Sequence, residues 1–171
     1  MPVQHASSRL LADMKRGYNK QDIINIVSKI RSKITNAAFR GTLIVGYPGE
    51  KESDIIELKQ FLDEIKFDNI GVFTYSDEND LENDKNRIAK PAKEARKADI
   101  MRYQQKKSRM INKEFVGKVV SCLADNKNIA RDYRMSPQID GKIHSSGMTA
   151  GKFYNIKIQK ADIYDLYGTV I

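Results

Sequence analysis

The stretch Thr42-Leu43-Ile44-Val45-Gly46-Tyr47-Pro48-Gly49-Glu50 (TLIVGYPGE) decides the expected fold of the first part of the chain. The apolar run from about Phe39 to Val45 is continuous, which is typical of a strand buried on both faces of a parallel sheet. The glycine-rich turn after it would lie at the carboxyl end of that strand, where α/β folds bind ligands. A tight strand-to-helix connection without any ligand explains the same pattern at least as well.

Working outward from this turn, the pattern over residues 1–76 reads β-α-α-β-α-β and indicates a piece of an α/β sheet or barrel. Gly17 is predicted to end the first helix in the left-handed conformation, and Asn19 is predicted to cap the second helix, with Asp22 in its first turn. The predicted elements are the end of a strand at 2–4, a helix after Ser7-Ser8, a helix after Asn19, a strand at 39–45, a helix at 53–65 and a strand at 69–75.

The second part of the chain has a different character. Residues 77–90 are charged and rich in asparagine, which predicts a surface loop, and a long helix is expected from Pro91 to about Lys113. Short β-prone runs with turn residues between them then predict a small five-stranded barrel. These runs are 118–124, 129–132, 143–146, 153–160 and 166–171. The expected fold class is therefore α/β followed by all-β, with domains at 1–113 and 114–171.

The positive charge is concentrated in one segment. The chain of 171 residues carries a formal net charge of +8, and residues 85–113 hold eleven lysines and arginines against two acidic residues. This segment could follow the phosphates of a nucleic acid, but a solvated connecting helix is the commoner outcome. Tyr154, Tyr164 and Tyr167 near the C-terminus could stack on bases, or they could close the core of the barrel.

Composition excludes several classes. A hydrophobic content of 40% is enough for a packed core. No apolar run approaches the roughly 20 residues that span a bilayer, and no secretory signal is visible at the start, so we expect a cytoplasmic protein with no membrane partner. The single cysteine, Cys122, sits in a β-prone apolar run and is predicted to be a buried core residue. One thiolate cannot hold an iron–sulfur cluster, which takes three or four.

Three polar residues follow predicted strand ends on the same edge of the sheet. Gln4 could bind a ligand through its amide, and Tyr75 is more often a packing residue than a ligand contact. His5 has no visible partner for a metal site, because the other histidine, His144, lies in the distal region. We therefore predict that His5 is a surface or packing residue and that the chain has no metal ligands.

Several motifs together resemble the radical-SAM methylthiotransferases. The first group, in the order and spacing of that family, is Pro2-Val3-Gln4-His5, Met14-Lys15-Arg16-Gly17-Tyr18, the TLIVGYPGE stretch and Gly71-Val72-Phe73-Thr74-Tyr75-Ser76. Two later segments are similar to the RimO branch, namely Tyr133 to Gly141 (YRMSPQIDG) and Ala161 to Gly168 (ADIYDLYG). The tRNA-modifying MiaB-like branch shares the glycine-rich turn but usually diverges in the two later segments.

The resemblance implies a transferase that adds a methylthio group to an aspartate of a small-subunit ribosomal protein. It implies S-adenosyl-L-methionine (SAM) and [4Fe-4S] clusters as cofactors of the full-length family, and a C-terminal TRAM domain that binds substrate, with RNA as a further partner. This chain would carry about three strands of the radical-SAM barrel, the connecting helix and the TRAM domain. By resemblance the residues at the cofactor site are Gln4, Arg16, Ile44, Gly46, Glu50 and Tyr75, and no catalytic or metal residue is assigned.

All six cysteines that the family uses for its clusters are absent from the sequence. We therefore expect the chain to be inactive alone and to need an N-terminal half or a partner chain. A C-terminal fragment of a longer gene is favoured over a split gene, because Met1 falls at a strand end, and an inactive remnant is a third possibility. The alternatives for function are a fragment of a MiaB-like tRNA methylthiotransferase and a stand-alone RNA-binding TRAM module.

Overall fold

The computed structural model describes residues 1–76 and 86–171, which form two compact units, Met1–Gln104 and Gln105–Ile171. The predicted order of an α/β part followed by an all-β part is confirmed. The predicted loop at 77–90 lies mostly outside the described residues. The two units divide inside the long helix, and the domains at 1–113 and 114–171 stay a prediction. In chain order the elements are β1 (Pro2–Gln4), α1 (Ser8–Asp13), α2 (Lys20–Lys33), β2 (Arg40–Val45), α3 (Glu52–Ile65), β3 (Asn69–Thr74), α4 (Lys90–Lys113), β4 (Val119–Ala124), β5 (Ile129–Arg131), β6 (Ile143–His144), β7 (Phe153–Ala161) and β8 (Leu166–Val170).

The first unit contains a three-stranded parallel sheet in the order β1-β2-β3. Strands β2 and β3 pair in continuous register from Arg40 opposite Asn69 to Val45 opposite Thr74, so their carboxyl ends meet at one edge. The buried core joins residues of β2 and β3 to residues of α2, α3 and α4, among them Val27, Leu43, Val45, Ile55, Leu58, Phe61, Val72 and Ile100. This packing holds β2 and β3 against the helices and so fixes the position of their carboxyl ends.

The prediction that β2 is buried on both faces is wrong for this chain. Leu43 and Val45 are buried, whereas Thr42 and Ile44 are only half-buried, and Phe73 of β3 is exposed. Successive side chains of a strand point to opposite faces, and the core side carries Leu43 and Val45. The continuous apolar run therefore leaves Ile44 on the face away from that core.

The ends of the first two helices show one correct and one wrong prediction. Asn19 caps α2 through its side chain, which accepts the Asp22 amide at 3.2 Å, and the Asp22 carboxylate accepts the Asn19 amide at 2.8 Å. Gly17, however, does not end α1 in the left-handed conformation, because Lys15 does so with a φ of 56°. The amide of Arg16 already donates to Leu11 O, which closes the helix before Gly17 is reached.

Replacing Asn19 by alanine is expected to lower the free energy of unfolding of the first unit by about 1 kcal/mol, since the side-chain oxygen that accepts the Asp22 amide is lost. Ser28→Ala, at an exposed position inside the same helix, is the control and should change it by less than about 0.5 kcal/mol. Urea titration followed by NMR signals of the first unit measures both values. Equal effects of the two substitutions would contradict the assigned cap.

The second unit is a closed barrel in the strand order β4-β5-β6-β8-β7. The structure confirms all five strands predicted from the sequence, with ends shifted by no more than two residues. The barrel buries a compact apolar core whose members are Cys122, Ala124, Ala130, Met135, Ile143, Met148, Ile156, Ile158 and Leu166. None of the helices in the part of the chain that the structure describes is long and apolar enough to cross a membrane.

Candidate functional site

A pocket of about 290 Å³ lies at the carboxyl ends of β2 and β3. One wall is aromatic, because the rings of Tyr47 and Tyr75 meet edge to face with their centroids 4.8 Å apart. Polar groups come from the segment after α1. The residues that line the pocket are Asp13, Met14, Lys15, Arg16, Ile44, Tyr47 and Tyr75. Three of the six cofactor-site residues implied by the resemblance, Arg16, Ile44 and Tyr75, are therefore together in one place.

The segment Met14-Lys15-Arg16 reaches the pocket because the chain reverses sharply at the end of α1. Lys15 adopts the left-handed conformation, and the hydroxyl of Tyr47 donates to Asp13 O at 3.1 Å. This hydrogen bond ties the end of α1 to the glycine-rich turn after β2. The sequence motif around Met14 and the motif around Gly46 are thus two sides of one pocket.

Gly46 lies directly behind the pocket and has no room for a side chain. Its φ is 79°, and a Cβ atom would come within 2.4 Å of Cγ of Lys93. Its amide donates to Oε2 of Glu50 at 2.8 Å. A glycine is therefore required both by the backbone conformation and by the close approach of α4.

Glu50 supports this turn rather than lining the pocket. Its side chain is fully buried, and Oε1 accepts a hydrogen bond from Nη1 of Arg96 at 2.7 Å. The same Nη1 atom is 3.2 Å from the main-chain oxygen of Glu50. Both carboxylate oxygens thus have partners inside the protein, as a buried charge requires.

The remaining polar residues at this edge are placed as follows. His5 is completely buried, so of the two predicted possibilities, surface or packing residue, the second applies; Nδ1 accepts the Ser7 amide at 3.0 Å. Its Nε2 atom is 3.5 Å from Oε2 of Glu50, too far for a good hydrogen bond, and has no hydrogen-bond partner within residues 1–76 and 86–171. Gln4 ends β1 with a φ of 67° and is not among the residues that line the pocket.

Sequence reasoning missed an ion pair that holds the other end of the turn. Nη2 of Arg9 donates to Gly49 O at 3.1 Å and to Oδ2 of Asp54 at 2.6 Å. Burial alone would raise the pKa of Asp54, but hydrogen bonds from the Lys51 amide and the Ser7 hydroxyl, with the charge of Arg9, lower it overall. Nothing in the local pattern links Arg9 to a carboxylate 45 residues away, so only the tertiary fold reveals the pair.

In the barrel, the two late sequence segments that resemble the RimO branch lie against each other. A Cβ atom on Gly141 would come within 1.8 Å of Tyr164 O, so only glycine permits this approach. The amide of Lys142 donates to Oδ1 of Asp165 at 2.9 Å, and the amide of Leu166 donates to Lys142 O at 2.9 Å. The two segments therefore form one structural feature of the barrel unit.

The tyrosines that could stack on bases are largely engaged within the barrel. Tyr167 stacks on His144 with the ring centroids 4.8 Å apart, and Nζ of Lys160 is 5.1 Å from the same ring. The hydroxyl of Tyr154 accepts the Thr149 amide at 2.9 Å, and hydrogen bonding from Thr149 lowers the pKa of Tyr154. Of the three, Tyr164 is exposed, whereas Tyr154 and Tyr167 are half-buried. Tyr133 and Phe153 of the same unit are also exposed, so the described surface keeps aromatic side chains on which bases could stack.

Cys122 is buried in the barrel core, as predicted, and burial raises the pKa of its thiol to about 12, with a smaller contribution from Asp132. Its thiolate fraction near pH 8 is therefore about a thousandfold below that of an ordinary cysteine. We expect a thiol reagent at pH 8 to label the folded chain at least about a hundredfold more slowly than the chain in guanidinium. Equal rates in the two states would contradict a buried, protonated thiol.

Among the described residues, neither Cys122 nor any other group fits an iron–sulfur cluster. Across residues 1–76 and 86–171, no three side chains of His, Cys, Asp or Glu come together as metal ligands. The pocket at the strand ends, in contrast, combines an aromatic and apolar wall with charged groups on its rim, which suits a nucleoside that carries an amino-acid tail. The described residues therefore fit the S-adenosyl part of the implied cofactor set, and they do not fit its cluster.

Both parts of the chain are similar to known proteins. Residues 116–171, which include the barrel strands, match the TRAM domain family. The chain as a whole is 40% identical, over 99% of its length, to the ribosomal protein uS12 methylthiotransferases RimO of Clostridium novyi and Clostridium acetobutylicum. It is 37% identical over 98% of its length to the RimO protein of Aquifex aeolicus. The chain is thus RimO-like along nearly its whole length, and it spans about two fifths of these relatives, 40% or 42% of each.

Proposed function

We propose that this chain provides part of the SAM pocket and the substrate-binding TRAM domain of a radical-SAM methylthiotransferase that modifies an aspartate of a small-subunit ribosomal protein. The observation that carries the proposal is the 40% identity over 99% of the chain to proteins named for methylthiolation of uS12. The pocket supports it, because it lies where a parallel α/β fold binds ligands. We place this function in the cytoplasm, where ribosomal proteins are made.

The pocket residues have separate roles in this proposal. The apolar and aromatic side chains of Ile44, Tyr47 and Tyr75 would pack against the flat adenine ring. Arg16 would pair with the carboxylate of the methionine part, and Asp13 with its ammonium group. When bound, the S-adenosyl group and its cluster supply the radical that starts the reaction. Because no described residues of this chain fit that cluster, its ligands would come from outside the chain, from an N-terminal half or a partner chain.

A protein is favoured over RNA as the partner of the TRAM domain. The reason is the charge balance, because residues 114–171 hold eight basic against six acidic residues. This balance is weak for a surface that must follow phosphates. Ribosomal protein uS12 remains the proposed substrate, with RNA as the second candidate.

A chimera tests the function directly. The matching two fifths of the Clostridium novyi RimO protein are replaced by this chain, and the chimera is produced in a bacterium whose own rimO gene is deleted. We expect mass spectrometry of ribosomal protein uS12 to show the mass of an added methylthio group on an aspartate. A matched chimera with Ile44→Asp, which puts a charge against the adenine position, should load the same amount of iron and lose most of the modification.

The outcomes separate the candidates. Unmodified uS12 from cells in which the chimera is soluble and loaded with iron would refute the proposed function. Methylthiolated nucleosides in tRNA of the same cells would support the MiaB-like alternative instead. Binding of the chain alone to RNA, with affinity that falls steeply as salt rises, would support the stand-alone RNA-binding module.

A further inference from the structure

Two cations of α4 contact the ends of β2 and β3, although the basic segment around them suggests a solvated or phosphate-binding helix. Arg96 is mostly buried and bonds Oε1 of Glu50, and Nζ of Lys93 is 2.9 Å from Tyr75 O and 5.1 Å from the centre of the Tyr75 ring. The aliphatic stem of Lys93 also lies against Gly46. These contacts adjoin the pocket, because Tyr75 lines it and Gly46 precedes the lining residue Tyr47.

We infer that Arg96 is a positioning residue for the S-adenosyl pocket, acting through Glu50 on the turn at Gly46. The inference rests on the proposed function only in assigning an S-adenosyl ligand to the pocket. Lys93 assists by holding Tyr75 and by covering Gly46. Nothing about the helix pattern of α4 indicates this role, because the partner of Arg96 lies 46 residues away in sequence.

The chain of contacts runs from Arg96 to the residues that line the pocket. Glu50 uses one carboxylate oxygen for Arg96 and the other for the Gly46 amide, so the two bonds share one rigid group. Gly46 sits between Ile44 and Tyr47, which both line the pocket. Without Arg96 the buried carboxylate would lose its hydrogen bond at Oε1, and rotation of the side chain towards water would release the Gly46 amide.

The geometry also distinguishes arginine from lysine at position 96. One guanidinium nitrogen reaches both Oε1 and the main-chain oxygen of Glu50, at 2.7 and 3.2 Å. A lysine keeps the charge but not the planar donor group, so it should preserve part of the effect. Partial rescue by Arg96→Lys is therefore expected if the charge matters, and the exchange rate of the Gly46 amide separates this role from helix packing alone.

The test uses the whole chain and S-adenosylhomocysteine, which needs no cluster, as the probe. Two quantities are measured for each variant: the exchange rate of the Gly46 amide by NMR and the Kd of the probe by calorimetry. For Arg96→Gln we expect Gly46 exchange to accelerate, and the Kd to rise, by about tenfold or more, since a charged hydrogen bond is lost. For Arg96→Lys, both the exchange rate and the Kd should lie between the values of the wild-type chain and Arg96→Gln. Arg102→Gln, at an exposed position of the same helix, should change neither quantity.

Each result decides the inference. Unchanged Gly46 exchange in Arg96→Gln would overturn it, and so would faster exchange with an unchanged Kd. If Arg96→Gln does not fold, Arg96→Lys carries the test, with an expected rise of about threefold or more in both quantities. If the wild-type chain binds no probe, the ligand assigned under the proposed function is wrong. Gly46 exchange then decides alone whether Arg96 holds the turn.

Discussion

Replacing Arg134 by methionine is expected to lower the free energy of unfolding of the barrel unit by about 3–5 kcal/mol. The Arg134 side chain is 5% exposed and that of Asp132 is fully buried, and Nη2 of Arg134 is 2.6 Å from Oδ2 of Asp132. The guanidinium also lies 3.5 Å from the centre of the Phe115 ring. Methionine keeps most of the apolar contact with that ring but leaves the Asp132 carboxylate buried without its partner. Urea unfolding followed by NMR signals of the barrel residues measures the loss.

The matched control for this prediction is Arg131→Met in the same segment. Arg131 pairs with Asp125 at 2.9 Å, but both side chains are about one-third exposed, so its loss should cost no more than about 1 kcal/mol. Adding Asp132→Asn to Arg134→Met should recover a large part of the stability, because the unpaired charge is removed. Similar losses for Arg131→Met and Arg134→Met would show that burial of the Asp132–Arg134 pair has no special weight.

Replacing Phe61 by alanine is expected to lower the free energy of unfolding of the first unit by about 3–5 kcal/mol. Phe61 is 1% exposed and packs against Phe67 with the ring centroids 6.0 Å apart. Its removal leaves a cavity between α3 and the segment that leads into β3, which a rigid sheet cannot close. The measurement is urea unfolding followed by NMR signals of the first unit.

The control for this second prediction is a phenylalanine-to-alanine substitution at an exposed position of the sheet. Phe73 of β3 is 56% exposed, and Phe73→Ala should cost less than about 1 kcal/mol. A loss at Phe73 as large as that at Phe61 would mean that the exposed face of the sheet is packed in solution. It would contradict the one-sided core described above.

Local signals in the sequence were sufficient for most elements. The five barrel strands lie between clear turn residues, and the capping box at Asn19 depends on neighbours only three residues apart. The end of α1 was mispredicted because Gly17 is the better left-handed residue by intrinsic preference. The structure places Lys15 there instead, where the hydrogen bonds of the last turn close earlier. The intrinsic preference of glycine for the left-handed conformation therefore does not decide where α1 ends.

The candidate site was predictable only in its outline. The motif at Gly46 and the position of strand ends in α/β folds indicate where a ligand would bind, and Ile44 and Tyr75 do line the pocket. The contacts that shape it are long-range, such as those of Arg96 with Glu50 and of Arg9 with Asp54. No periodicity or spacing encodes which cation meets which carboxylate, so the sequence does not show that Glu50 is buried and paired with Arg96.

The central claim is that the ends of β2 and β3 bind the S-adenosyl group, and chemical-shift mapping by NMR tests it most directly. Addition of S-adenosylhomocysteine to the isotope-labelled chain should perturb the amides of Ile44, Tyr47 and Tyr75 and the methyl group of Met14, and leave the barrel residues unchanged. Perturbations confined to the barrel, or none at millimolar ligand (a Kd above about 1 mM), would contradict the claim.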